Sequence, residues 1–188
     1  DAIVTDCATC GAAFKKEIPN LLEELGHDPE KAKRVAGKVR DVSQVVCEFM
    51  DRIEIVEHAK GEPVKITYHD PCHLVRGMGV ASEPRRILRS LPAVSFGEMD
   101  GPAECCGGGG AYQFENVTLS AEITSRKREN IQATGARIVA TGCPGCRMTL
   151  AGNLRDPSVQ VLHTIQVLAG KLRQRTNRSA RSFADYRK

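Results

Sequence analysis

The sequence predicts an α/β fold in which a parallel sheet is flanked by helices. Short apolar segments alternate with segments of helical periodicity along the 188 residues, and this alternation is typical of strands joined by crossover helices. One apolar segment occurs twice, each time followed by a CxxC pair. We therefore expect the tail end of one repeated unit with a connecting helix in residues 1–60, a complete second unit in residues 61–170, and a basic, flexible tail in residues 171–188.

The first part of the chain is predicted to form one strand followed by helices. Residues 2–5 (AIVT) have the character of the end of a buried strand, and residues 11–25 alternate apolar and charged residues at helical spacing. Residues 28–30 (DPE) are a typical helix start, because Asp caps a helix and Pro fits its first turn. Valines at every third or fourth position extend this helix to about Ile53 and place Cys47 on it as an ordinary buried thiol.

The second part alternates strands and helices more regularly, which indicates a parallel sheet. We expect Ser82 to cap the first helix of this part, and Leu119, Ile123 and Ile131 to form the apolar face of the second. The predicted strands are residues 64–69, 93–96, 138–141 and 159–162. The predicted helices are residues 82–91, 116–133, a segment after Pro144 and a segment from about Thr164.

Composition and charge exclude several classes of protein. Hydrophobic residues make up 41% and charged residues 27% of the chain, as in ordinary globular proteins. No apolar run approaches the roughly 18 residues of a membrane span. The opening residues 1–5 resemble the inside of a strand rather than a signal peptide, so we expect a piece of a longer chain. No basic stripe with interleaved aromatics is present, which argues against nucleic acid.

The net charge of +4 comes from the end of the chain. Seven Lys and Arg residues lie from Lys171 onward, with Asp185 as the only acidic residue among them. The rest of the sequence is therefore close to neutral. Such a segment is typical of a solvated end, and docking to an acidic partner or a membrane surface is the alternative interpretation.

Eight cysteines are many for this length, and their spacing favours metal binding over disulfides. They include two CxxC pairs and one adjacent pair, without a secretion signal, so a reducing cytoplasm is the expected setting. Residues 2–10 align without gaps with residues 138–146, and both are an apolar strand that leads a CxxC pair into a helix. If this is a duplication, the remaining ligands of Cys7 and Cys10 lie upstream of residue 1.

Five cysteines of the second unit follow predicted strands or lie in loops near them. The carboxyl ends of parallel strands share one edge of a sheet, so these thiols are expected to meet there. A tetrahedral zinc ion needs only four ligands, and a vicinal pair suits a polynuclear iron–sulphur centre better. A zinc-stabilised structural domain remains the alternative. The candidate ligands are Cys72, Cys105, Cys106, Cys143 and Cys146.

Glycines and histidines surround these cysteines. Gly107 and Gly108 follow the adjacent pair, and their backbone N–H groups are expected to approach cluster sulphur atoms. No Lys-Ser/Thr follows them, so a phosphate-binding loop is disfavoured. His69 and His73 flank Cys72 and could ligate a metal, donate a hydrogen bond to a sulphur atom or carry a proton. We favour a hydrogen-bonding role and assign His73 to the cofactor-binding set.

The motifs HDPCH, ECCGGGG and ATGCPGC together resemble the cysteine-rich domain known as CCG. That domain occurs in the iron–sulphur subunits of glycolate oxidase and FAD-linked lactate dehydrogenase, and in cysteine-rich subunits of anaerobic glycerol-3-phosphate dehydrogenase and heterodisulfide reductase. The resemblance covers roughly residues 64–165, with residues 1–25 as the end of a preceding copy. Family members usually carry two such domains, often after a ferredoxin-like segment. This sequence lacks the ferredoxin-like segment and most of the first domain.

The resemblance implies a function in electron transfer. It implies a [4Fe-4S] cluster, cubane or non-cubane, on the five cysteines, with zinc as an alternative occupant. The implied partners are a flavoprotein dehydrogenase that oxidises a 2-hydroxy acid such as glycolate or lactate, and another iron–sulphur subunit or a quinone-linked carrier. The protein would then be cytoplasmic and at most peripheral to the inner face of the membrane. A cluster-based disulfide reductase is the alternative that the resemblance also implies.

Overall fold

The computed structural model describes residues 1–55 and 62–172. The first of these segments contains two short strands and four short α-helices. In chain order they are β1 (Ile3–Thr5), α1 (Ala8–Ala12), α2 (Ile18–Glu24), α3 (Glu30–Ala36), β2 (Val39–Asp41) and α4 (Val42–Glu48). A π-helical turn at Ala13–Glu17 joins α1 to α2, and a 3-10 turn at Met50–Arg52 follows α4.

The second segment contains four strands and five α-helices. They are β3 (Val64–His69), α5 (Ser82–Ser90), β4 (Val94–Phe96), α6 (Tyr112–Glu115), α7 (Val117–Ala133), β5 (Ile138–Thr141), α8 (Pro144–Asn153), β6 (Gln160–His163) and α9 (Thr164–Ala169). A π-helical turn at His73–Met78 follows β3. The strands form one parallel sheet in the order β4-β3-β5-β6. The predicted fold class, a parallel sheet with flanking helices, is confirmed.

The predicted long helix from residue 28 to Ile53 is wrong, because a strand divides it. Gly37 caps the end of α3, and Val39 then pairs in parallel with Ile3 of β1. The Asp41 carboxylate accepts a hydrogen bond of 2.8 Å from the Ser43 N–H and caps α4. Valine spacing misled the prediction, since β-branched residues pack equally well in a strand.

The strand at the start of the chain forms, but it is not buried as expected. Ile3 is 42% exposed and Val4 is 48% exposed. Among the described residues, β1 pairs with β2 alone in a two-stranded sheet. One face and one edge of β1 therefore remain open to solvent.

Two details of the second part also differ from the prediction. Ala81 is the N-cap residue of α5, and the Ser82 hydroxyl donates instead to the Glu83 carboxylate at 3.1 Å. Leu119 is 49% exposed, because α7 turns a polar stripe toward the interior together with Ile131. The predicted tail at residues 171–188 lies outside the described residues from Arg173 onward, and Leu172 forms a bridge with Ile55.

The core has two layers, one on each face of the four-stranded sheet. Alternate strand residues point to opposite faces: Ile66, Tyr68 and Ala140 pack with α5 and α9, whereas Val139 and Val161 pack with α7 and α8. The second layer continues directly into Cys106. None of the helices within residues 1–55 and 62–172 is both long and apolar enough to cross a membrane.

A half-buried arginine fixes the segment that leaves β3. The Arg85 guanidinium donates to both oxygens of Asp70 at 2.8 and 2.7 Å and to both oxygens of Glu98 at 2.8 and 2.7 Å. It also lies over the Tyr68 ring, 5.1 Å from the ring centroid. Asp70 is only 4% exposed, so its charge depends on this pairing.

Replacing Arg85→Met should lower the free energy of unfolding by about 3 kcal/mol, because the buried Asp70 carboxylate would lose its partner. The control is Arg89→Met, which removes an exposed guanidinium that lies 3.9 Å from Glu98 and should cost less than about 1 kcal/mol. Urea unfolding followed by circular dichroism measures both. Equal losses in the two variants would contradict the assignment of Arg85 as the structural anchor.

Candidate metal centre

The cysteine site lies at the carboxyl edge of the four-stranded sheet. Strands β3 and β5 pair directly, and the chain reaches Cys72 shortly after β3 and Cys143 shortly after β5. The loop between β4 and α6 brings in the adjacent pair of cysteines. One ligand atom each from His69, Cys106 and Cys146 lie within 4.8 Å of one another. We predicted the thiols at this edge because the cysteines follow predicted strands of a parallel sheet.

The Cys106 thiol is the centre of the cluster. The thiols of Cys105 and Cys146 hydrogen-bond to it and hold its pKa well below the ordinary value for a thiol. The same hydrogen bond, with burial added, raises the pKa of Cys105. Cys146 also hydrogen-bonds to Cys143, and this contact lowers the pKa of Cys143 to about 5. Four of the five predicted cysteines are thus linked in one continuous set of sulphur contacts.

Cys72, the fifth cysteine, lies at the rim of this set. Its charge adds to the raised pKa of Cys105, although it contributes less than Cys106 and burial do. Its Sγ is 3.8 Å from Nδ1 of His73. Cys72 is half-buried and Cys105 is exposed, whereas Cys106 and Cys143 are buried. One side of the site therefore opens to the surface.

The electrostatics of the site favour a cationic occupant. Four thiols in contact cannot all ionise, because each thiolate raises the pKa of its neighbours. Cys146 accordingly has a strongly raised pKa, first because of its hydrogen bond with Cys106. A soft cation would remove this penalty and lower the pKa of every ligating thiol. The donor set fits iron–sulphur clusters and zinc, both of which take thiolate ligands.

His69 is outside the set of ligands that the sequence predicts, and the structure places it deeper than His73. His69 is 1% exposed. Its ring lies against the Cys106 sulphur and contributes to the lowered pKa of that thiol. The other ring nitrogen is buried without a hydrogen-bond partner in the part of the chain that the structure describes, and such a nitrogen is costly.

His73 lies instead at the exposed mouth of the site. Its Nδ1 is 3.4 Å from the Thr9 hydroxyl, and that hydroxyl is 3.7 Å from the sulphur of Cys143. Thr9 belongs to the first CxxC loop, so this loop packs against the cysteine site of the second unit. Sequence reasoning had no signal for this contact, because it depends on how α1 docks beside the π-helical turn after β3.

The two CxxC pairs share their local structure. Cys7 caps α1 with extended backbone at φ −120° and ψ 109°, and Cys143 caps α8 at φ −142° and ψ 123°. The Cys7 sulphur also accepts a hydrogen bond from the Cys10 N–H at 3.4 Å. All eight cysteines are free thiols. Burial is the main cause of a raised pKa at Cys7, and Cys143 adds to it from across the domain.

The glycines after the cysteine pair allow the loop to lie flat against α7. Gly107 donates its N–H to the Cys105 sulphur at 3.3 Å and has a φ of +87°. A Cβ on Gly107 would lie 2.1 Å from the Thr124 hydroxyl oxygen. A Cβ on Gly108 would lie 2.4 Å from the hydroxyl oxygen of Thr149 on α8. A side chain at position 107 would also meet the carbonyl oxygen of Ser120, so it does not fit there without displacing the loop.

A polar stripe on α7 holds the same loop, and sequence reasoning missed it. The Ser120 hydroxyl donates to the carbonyl of Gly107 at 2.7 Å, and the Thr124 hydroxyl donates to the carbonyl of Cys106 at 3.0 Å. One helical turn further, Lys127 donates to the carbonyl of Gly101 at 2.5 Å. These positions lie on one face of the helix, and all three side chains are buried.

Residues 66–151 match the family described as a cysteine-rich domain, CCG. The three motifs that carry the resemblance lie within the matched region. The matched residues include most of β3, the loop of the vicinal cysteines and the first helical turns after Cys143. The family resemblance inferred from the sequence is confirmed.

Three relatives illustrate the similarity. Over 171 residues the chain is 34% identical to a subunit of the fumarate reductase (CoM/CoB) of Methanothermobacter marburgensis, covering 89% of this chain and 32% of that protein. Over 153 residues it is 35% identical to the probable glycolate oxidase iron-sulfur subunit of Bacillus subtilis, covering 80% and 33%. Over 170 residues it is 28% identical to lactate utilization protein A of Bacillus subtilis, covering 88% and 69%.

The chain thus spans about a third of the length of the first two of these relatives. It is homologous to proteins that include iron–sulphur subunits of oxidoreductases.

Replacing Gly107→Ala should displace the cysteine loop from α7 and destabilise the protein by about 3 kcal/mol, since overpacking adds to the strain of a positive φ. Gly110→Ala is the matched control, because Gly110 has a φ of +61° and open space around it; it should cost about 1 kcal/mol. Urea unfolding and the rate at which the thiols react with Ellman's reagent measure the two effects. Similar losses of stability and similar rates in both variants would show that the contact with α7 is unimportant.

Proposed function

We propose that this chain holds one [4Fe-4S] cluster and transfers electrons as part of the iron–sulphur subunit of a flavin-linked 2-hydroxy-acid oxidoreductase. The observation that carries the proposal is the continuous set of thiols around Cys106 at the carboxyl edge of the sheet. Four thiols in contact and a fifth at the rim exceed the four ligands of a tetrahedral zinc ion. Similarity to an iron-sulfur subunit named for glycolate oxidase supports the same conclusion.

The proposed ligands are the five cysteines of the CCG domain, with Gly107, Gly108 and His73 completing the binding site. The cluster would supply reversible one-electron chemistry. The chain itself would supply five thiolates, a partly closed pocket and N–H donors near sulphur, such as that of Gly107. Hydrogen bonds of this kind tune the potential of a thiolate-bound centre. The ligands would be Cys72, Cys105, Cys106, Cys143 and Cys146.

The proposal extends to partners and organisation. The electron donor would be a flavoprotein dehydrogenase that acts on glycolate or lactate, and the acceptor another iron–sulphur subunit or a quinone-linked carrier. The protein would work in the cytoplasm, at most peripherally attached to the inner face of the membrane. Residues 1–60 would be the end of a first CCG-type unit, residues 61–170 a complete second unit and residues 171–188 a flexible tail.

A second candidate function is disulfide reduction at the cluster. Cys105 is exposed and Cys72 is half-buried, so a substrate sulphur could approach the site from this side. A relative whose name refers to CoM/CoB also matches most of this chain. Turnover of a disulfide with a reduced dye as electron donor separates this candidate from a protein that only transfers electrons.

Iron and acid-labile sulphide analysis of anaerobically purified protein tests the cluster and its ligands. The wild type should contain about four iron and four sulphide atoms per chain, whereas Cys106→Ser should contain almost none, because a hydroxyl is a poor ligand in a soft site. Cys47→Ser is the control, since the Cys47 thiol lies on α4 and donates to the carbonyl of Glu83 at 3.5 Å. Stoichiometric zinc without sulphide in the wild type, or equal iron loss in both variants, would overturn the proposal.

The double substitution Cys7→Ser/Cys10→Ser tests whether the first CxxC pair belongs to a separate unit. Two thiolates cannot complete a cluster or a tetrahedral zinc site on their own, so this variant should keep about four iron atoms per chain. Iron quantification after desalting under anaerobic conditions is the measurement. Since the charge of Cys143 reaches Cys7, loss of the iron would mean that the pair serves the same site and that the division into two units is wrong.

A further inference from the structure

Lys127 is a buried cation below the cysteine loop. Its side chain is 1% exposed, which is rare for lysine. Its Nζ donates to the carbonyl of Gly101 at 2.5 Å and to that of Pro102 at 3.4 Å. No carboxylate within the described residues forms an ion pair with it. An ammonium group in this position needs a compensating negative charge close by.

The negative groups that face Lys127 are few. Burial lowers its pKa, and the charges of Glu104, Cys106, Asp70 and Cys105 oppose that shift in this order. Asp70 is already bound on both oxygens by Arg85, and Glu104 is exposed to water, which screens its charge. The buried negative charge that remains is that of the Cys106 sulphur, whereas Cys105 is exposed.

We propose that Lys127 is the counter-charge of the cysteine site and raises the reduction potential of the cluster held there. This inference rests on the proposed function. A positive charge in a low-dielectric interior stabilises the more negative of two redox states, which is the reduced one. Lys127 acts through space and through the carbonyls of residues 101–102, without touching the ligands, so it is a positioning and tuning residue.

Substitutions in the polar stripe on α7 can separate the effect of the Lys127 charge from the effect of the hydrogen bonds that hold the loop. Thr124 holds the same loop through a hydrogen bond to the carbonyl of Cys106, but it is neutral. Lys127→Met removes the charge and two hydrogen bonds. Lys127→Arg keeps the charge, and Thr124→Val removes a hydrogen bond to the loop without changing the charge. Only a charge effect distinguishes the first variant from the other two.

Redox titration monitored by electron paramagnetic resonance tests the inference on the anaerobically purified protein. Lys127→Met should shift the midpoint potential to more negative values, whereas Lys127→Arg and Thr124→Val should remain close to the wild type. Lys127→Met should also release iron several-fold faster to a chelator than Lys127→Arg does. A Lys127→Met potential equal to that of the wild type, or an equal shift in Thr124→Val, would overturn the inference.

Lys127→Gln keeps the experiment decisive if Lys127→Met does not fold. Its amide can still donate to the carbonyl of Gly101, but it carries no charge, so the potential should shift in the same negative direction. An unchanged potential in a folded, iron-loaded Lys127→Gln protein would overturn the inference. A wild type without iron or sulphide would overturn the proposed function itself, and the two failures are therefore distinguishable.

Discussion

The attachment of the cysteine loop to α7 is the constraint on which the site depends. Two hydroxyls and one ammonium on a single face of this helix donate to carbonyls of the loop, at Gly107, Cys106 and Gly101. This attachment fixes the backbone of a loop that has no regular structure of its own. It also explains the glycine at position 107, because any side chain there would occupy the space of the Thr124 hydroxyl.

The attachment of the loop to α7 also determines the electrostatics of the cysteine site. With the loop fixed, the Cys106 sulphur lies among the thiols of Cys105 and Cys146, next to the buried ring of His69. Such crowding is unfavourable for thiolates in the absence of a cation. The fold thereby crowds thiols around Cys106, anchors the segment after β3 through the Arg85–Asp70 pair and buries Lys127 below the loop.

The first CxxC pair packs against the site of the other cysteines. The first CxxC loop shares its local geometry with the second, yet it does not stand apart from it, since Thr9 reaches Cys143 and His73. The surface of the cysteine site is therefore partly formed by Thr9, which lies within the first CxxC pair.

Local sequence patterns predicted many of the strands and helices correctly. Strands β3 and β5 agree with their predicted bounds, because apolar segments flanked by polar loops are unambiguous. The same rules failed between residues 28 and 53, where valine spacing suits a helix and a strand alike and only the pairing of Val39 with Ile3 settles the matter. They also assigned Leu119 to the core, although α7 turns Ser120 and Thr124 inward toward loop carbonyls that no local pattern reveals.

The sequence by itself determined the parallel α/β architecture and the five candidate cysteines, because the alternation of strands and helices and the spacing of cysteines are local properties. Only the tertiary structure decided that His69 rather than His73 lies deep beside the thiols, that Thr9 of the first CxxC pair touches Cys143, and that Lys127 is buried below the loop. These contacts join residues far apart in the chain. Their geometry depends on how helices dock on the sheet, and that information is absent from any single segment.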